Sequence, residues 1–351
     1  NTAAGAVGYD PLTGAPSTDT SATWVSTLGA VSVGSAGNTR QITNVAAGTE
    51  DTDAVNVAQL KAGQTHYYSV NDNGSKQDNY DNTGAQGANS VAAGPGASTA
   101  ATDTGSVALD YNATTGKYGS GQWGVAIGES AAAYGVQAIG IGYQAGMIDP
   151  ASVNPNDSSL VAIGTGAGYL AKSGSDGAGV SSAVFLGANA GSYSQGYRNN
   201  FLGANAGANS GSAITFSEVL PALPANVITG APRGGNVNDA GHNLGLGDEA
   251  FTNALGNWNT AVGTASLSGA NGQRNTAQGF YSGFKTTGDD NVAVGYMAGV
   301  IPGANAAAAP TTVNANRTIS VGRNALANAD DAVALGYLAS ATEESGVALG
   351  A

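Results

Sequence analysis

A chain of 351 residues with 55 glycines, 7% aromatic and only 10% charged residues is too glycine-rich for a conventional α/β enzyme. It is also too apolar and too regularly spaced for disorder. Its net charge of −13 argues against nucleic acid and anionic lipid as partners, since both select a basic footprint, and fits a secreted surface kept soluble by like charge.

Residues 1–34 hold a Gly/Thr/Ser-rich lead and then Thr23-Trp-Val-Ser-Thr-Leu-Gly-Ala-Val-Ser-Val-Gly34. The last five residues read as a strand and turn, so the segment is expected to end a β-structured piece, with Trp24 capping it. The character changes at Ser35. In Asn38-Thr-Arg-Gln-Ile-Thr-Asn-Val-Ala-Ala-Gly48, Ile42 and Val45 sit three apart, as on one helix face. Thr49-Glu-Asp-Thr-Asp53 supplies N-cap candidates for a second helix, where Ala54, Val57, Ala58 and Leu60 follow spacings of 3 and 4. So short and narrow a stripe is unstable alone in water and predicts partner helices. Arg40 is expected to pair with Glu50, Asp51 or Asp53, within or across chains. Residues 62–87 form a polar, tyrosine-containing connector. Its Asn-Gly and acids do not meet the D-x-[DN]-x-[DN]-G calcium loop, so no metal is expected there.

From Ala88 onward one phrase recurs: two apolar residues around a small one, then glycine, as in Val125-Ala-Ile-Gly128 and Val292-Ala-Val-Gly295. Aligned on the glycine, the pivots are Gly94, Gly128, Gly142, Gly164, Gly187, Gly203, Gly247, Gly263, Gly279, Gly295, Gly322, Gly336 and Gly350, with Asp110 in the same place. The spacing is 16 from Gly247 to Gly295 and 14 from Gly322 to Gly350. A short fixed period with one strand per unit is the mark of a solenoid whose single coil cannot bury a core. Alternation is expected to put the large pair inside each coil and leave the small residue for the close approach of a neighbouring subunit. The gaps from Gly142 to Gly164, Gly164 to Gly187, Gly203 to Gly247 and Gly295 to Gly322 carry insertions, read as exposed loops. The longest of them has room for a further degenerate coil.

The stretch Asn38 to Lys61 closely resembles the neck of trimeric autotransporter adhesins, and the Val-Ala-Ile-Gly repeats resemble their YadA-like head. The resemblance implies a mainly β fold: a trimeric left-handed parallel β-roll solenoid with a short α-helical neck. It divides the chain into the end of a tryptophan-bearing head piece (1–34), a neck (35–61), a connector (62–87) and a head β-roll with loop insertions (88–351). Arg40, Ile42, Val45, Asp51, Asp53, Val57 and Leu60 are the expected trimer contacts of the neck, and Gly128, Gly142, Gly164, Gly263, Gly295 and Gly336 represent the coil pivots. The implied partners are two sister chains and a matrix or cell-surface ligand, on the surface of a Gram-negative bacterium. Anchoring would be through a C-terminal region outside this chain, which starts at Asn1 without a signal peptide, ends inside a repeat and so reads as a fragment. No apolar run reaches the roughly 18 residues of a membrane helix, and the lack of cysteine fits export.

The competing chemistries are weaker. Gly140-Ile-Gly-Tyr-Gln-Ala145 and Gly245-Leu-Gly-Asp-Glu-Ala250 match a dinucleotide fingerprint only if a helix follows and an acid lies some 20 residues on. The histidines are His66 and His242. A trimeric β-helix acyltransferase would use one as general base, but spacings of 14 and 16 are not multiples of six. Neither enzymatic activity nor a cofactor is expected. Tyr143, Tyr296, Tyr337, Trp123 and Trp258 are expected to pack at corners or between subunits, with adhesion contacts as the alternative. A spacer segment, with adhesion carried elsewhere, is the alternative to a binding role.

Overall fold

A computed structural model describes residues 4–11, 15–63, 69–116, 122–148, 159–172, 180, 182–196, 198–210, 241–301 and 313–350. They fall into two units, Asn1–Asn71 and Asp72–Ala351.

In the first unit, Tyr9–Asp10 and Ala15–Pro16 pair antiparallel, and Gly8 N–H donates to the Trp24 carbonyl at 2.6 Å. The Ala30–Gly34 phrase forms no strand; Val31 stands exposed instead. The helix expected around Ile42 and Val45 is also absent, because Asn44 takes a left-handed φ of 61° and interrupts the turn. Among the described residues of this unit one helix forms, Val57–Ala62, and its N-cap is Asn56 rather than any residue of Thr49–Asp53. Asn56 and Gln59 make a reciprocal capping box. Their amides also reach back: Asn56 Nδ2 donates to the Val45 carbonyl at 3.2 Å, and Gln59 Nε2 to the Gly48 carbonyl at 2.9 Å. Gln59 Oε1 accepts from Gly48 N–H at 3.1 Å. These bonds hold the 45–48 strap on the first turn of the helix. Asp53 closes its own turn, accepting from the Thr49 and Glu50 amides at 2.9 and 3.1 Å.

In the second unit, each three-residue phrase is one strand of a 14-stranded, wholly parallel sheet running from Val91–Ala93 to Val347–Leu349. Register is strict: Val125 faces Ile139, which faces Val161, which faces Val184. Pivots from Gly94 to Gly336, apart from Asp110, have φ between 116° and 134°, where a side chain is strained. They also stack so closely that a methyl group at Gly295 would meet the Gly322 carbonyl oxygen at 2.7 Å. The strand Asn200–Leu202 pairs directly with Leu244–Leu246; the degenerate coil allowed for between Gly203 and Gly247 falls on residues outside those described. Residues 72–87 hydrogen-bond onto the first coil, where Asn79 Nδ2 donates to the Ala92 and Gly94 carbonyls at 3.3 and 3.2 Å.

The inward and outward faces are the reverse of the sequence expectation. The central small residue of each strand points into the coil: Ala108, Ala126, Ala162, Ala261, Ala277 and Ala334 are fully buried. A second alanine column three residues past the pivot, including Ala131, Ala145, Ala167 and Ala298, is also fully buried. A coil of 14 to 16 residues leaves a lumen only wide enough for these methyl groups. The large flanking residues therefore face outward. Where phenylalanine enters the lumen, glycine makes room: a methyl group at Gly245 would meet Phe201 Cδ1 at 2.9 Å. Phe185, Phe201 and Phe251 stack through three coils at 5.7 and 6.2 Å.

A buried asparagine ladder runs beside this core. Asn243, Asn259, Asn275 and Asn291 each donate their main-chain N–H to the Oδ1 of the asparagine one coil before, at 2.9 to 3.1 Å. Their Nδ2 groups donate to the carbonyls of Gly256, Gly272, Gly288 and Ala315. Polar atoms that would otherwise be stranded are thus paired from coil to coil.

Candidate interaction surface

Three outward columns result from this stacking. The first is the sheet face, whose exposed apolar residues include Ile163 at 36%, Leu186 at 39%, Leu246, Ile319 and Leu335. A wholly parallel sheet is normally covered on both faces.

The second column stands five residues before each pivot and takes a left-handed φ, from Trp123 through Gln137, Ser159, Ser182, Arg198, His242, Trp258, Arg274, Asp290, Arg317 and Asp331 to Ser345. The side chains form a ladder. Arg198 Nη1 lies 3.3 Å from His242 Nε2, His242 stacks on Trp258 with centroids 5.8 Å apart, and Arg274 grips Asp290 at 2.6 and 2.8 Å. Arg317 grips Asp331 likewise at 2.6 and 2.9 Å. Each guanidinium holds its partner carboxyl below the ordinary value of 3.8. Asp330 is held low chiefly by the Asn316 amide. These pairs are exposed, so each contributes little alone.

The third column follows the pivot. Phe280 and Tyr296 stack at 5.4 Å, and Arg323 lies over the rings of Tyr296 and Tyr337 at 5.5 and 5.9 Å. Tyr143 occupies the same register, nearly half exposed.

The described residues flanking the insertions are Ile148 and Ser159, Lys172 and Val180, Ser210 and Gly241, Ile301 and Val313. All sit on the stretch that closes one coil and leads to the next strand, so every insertion is rooted at the corner beside the second column. Of the four gaps read from the sequence as carrying loops, residues 149–158, 173–179, 211–240 and 302–312 lie outside the described residues, as does His66.

The neck residues are largely open. Ile42, Val57 and Leu60 are 65–69% exposed, Asp51 and Asp53 are exposed, and Val45 is half-buried. Arg40 donates to the Val33 carbonyl at 2.6 Å, and within the described chain it makes no ion pair with Glu50, Asp51 or Asp53. His242, the other candidate base, belongs to the outward ladder. Gly140–Ala145 turns from a strand into a coil corner rather than a helix. Among the described residues no group of three or more His, Asp or Glu is placed to hold a metal, and no helix is long and apolar enough to cross a membrane. The asparagine ladder was missed from sequence, although its 16-residue spacing was visible there.

Among the described residues of the second unit, stacked parallel coils define a repetitive display scaffold whose surfaces are columns. Residues 41–89 match the coiled stalk of trimeric autotransporter adhesin, and residues 314–339 and 327–351 match two copies of the YadA head domain repeat. A 61-residue stretch is 69% identical to autotransporter adhesin BadA of Bartonella henselae, covering 17% of this chain and 2% of that protein. These matches make the chain similar to trimeric autotransporter adhesins over residues 41–89 and 314–351.

Proposed function

We propose that the chain is a surface-displayed binding segment: a parallel homotrimer of left-handed β-rolls that attaches a Gram-negative bacterium to host matrix, cells, other bacteria or surfaces. The carrying observation is the outward face of the fourteen-stranded parallel sheet, apolar on most strands and interrupted by Thr276 and Gln278. A face this long and regular, left open in one chain, is suited to burial against sister chains. The exposed neck residues Ile42, Val57 and Leu60, with Val45, would make trimer contacts of their own, and Arg40 would reach Asp51 or Asp53 of a neighbouring chain. Three copies of every column give avidity from weak sites without any deep pocket. The outer-membrane anchor would lie outside this chain.

The spacer reading has support in the same repetitiveness, since identical coils also make an efficient strut. In a direct binding screen against matrix-coated and cell surfaces, the intact chain adheres if it is a binding segment and does not if it is a strut. Deleting 149–157 and 210–240 then tells whether the loops or the columns carry that adhesion.

A further inference from the structure

Two of the chain's three tryptophans occupy places the fold disfavours twice over. Trp123 and Trp258 both stand five residues before a pivot, with φ of 56° and 57°, and both are 54% exposed. A bulky side chain in the left-handed region is strained, and an open indole forgoes its burial. Ser159, Ser182 and Ser345 fill the same place in other coils with the same backbone conformation, so closing a coil does not require an aromatic ring.

Both rings are braced by the preceding coil. A methyl group at Gly105 would meet Trp123 Cδ1 at 3.0 Å. His242 supports Trp258, with ring planes 20° apart. The neighbouring rungs are polar: Gln137 follows Trp123, while Arg198 and Arg274 stand on either side of the His242–Trp258 pair.

We propose that Trp123 and Trp258 are saccharide platforms, on each of which the apolar face of a pyranose ring of a surface glycan stacks while amide and guanidinium rungs bind its hydroxyls. This rests on the binding-segment reading and names its ligand class. An apolar peptide side chain would need a desolvated pocket around the ring, and the flanks here are hydrogen-bonding groups instead. The platforms share one column six strands apart, on the order of 30 Å, so one glycan chain or a glycan-coated surface engages both.

The test uses Trp123→Ser, Trp258→Ser and the double variant, each replacing tryptophan with a residue the column already carries. Indole fluorescence of the intact chain is titrated with lactose, 3′-sialyllactose and triacetylchitotriose, and all four proteins are applied to an immobilised glycan array. The expected result is saturable fluorescence change with at least one sugar, array binding about tenfold weaker or worse in the double variant, and an unchanged or higher melting temperature. No glycan bound by the native chain, equal binding by the double variant, or a lowered melting temperature or weakened assembly in the serine variants would overturn it. The last outcome would make the rings structural and leave the adhesin reading standing.

Discussion

Asn259 shows how much one side chain holds in this fold. Its Oδ1 accepts from the buried Asn275 N–H at 2.9 Å and its Nδ2 donates to the half-buried Gly272 carbonyl at 3.0 Å. Asn259→Ala removes both partners at once and strands a donor and an acceptor, each at about 1–3 kcal/mol. Chemical denaturation should register a loss of several kcal/mol, with Asn257→Ala, nearer the surface, much milder. The pivots were legible in the sequence because their dihedral angle and close stacking strain a side chain, so glycine fills every one but that of Asp110. The asparagine column has the same period, but asparagine before a strand also suits an ordinary turn, and only the register of the coils shows that one amide serves the next.

At the scale of the coil, the strands and their order were readable, and the sides were not. Period-two alternation separates Val125 and Ile127 from Ala126 but is silent on which set faces inward. Lumen width decides it, and that depends on the closed coil rather than on the phrase. Ala126→Leu therefore acts on the fold of the single chain rather than on assembly. Overpacking the lumen should cost on the order of 1–3 kcal/mol, seen as a lower denaturation midpoint under conditions where subunit mass is unchanged. The neck was misread for a related reason. Ile42 and Val45 have helical spacing, but the left-handed Asn44 and the bonds from Asn56 and Gln59 fold that segment back as a strap.

At the scale of the molecule, Arg274 pairs with Asp289 and Asp290, and Arg317 with Asp330 and Asp331, in neighbouring coils. Asp290, Asp330 and Asp331 have native pKa values below 3.8. Their contribution is present in full above the ordinary value and is lost as pH falls through the lowered native values. Melting temperature should thus hold from neutral pH to about 4 and then fall, and Asp331→Asn should flatten the fall. Because these groups are exposed, added salt should shrink the effect.

The account depends most on the outward Val, Ile and Leu rows being covered by two sister chains. Light scattering on the purified chain measures that directly. It should return three times the 34.1 kDa chain mass, persisting on dilution. A folded species of 34.1 kDa, with its β-structure intact and its apolar face open to water, would contradict it.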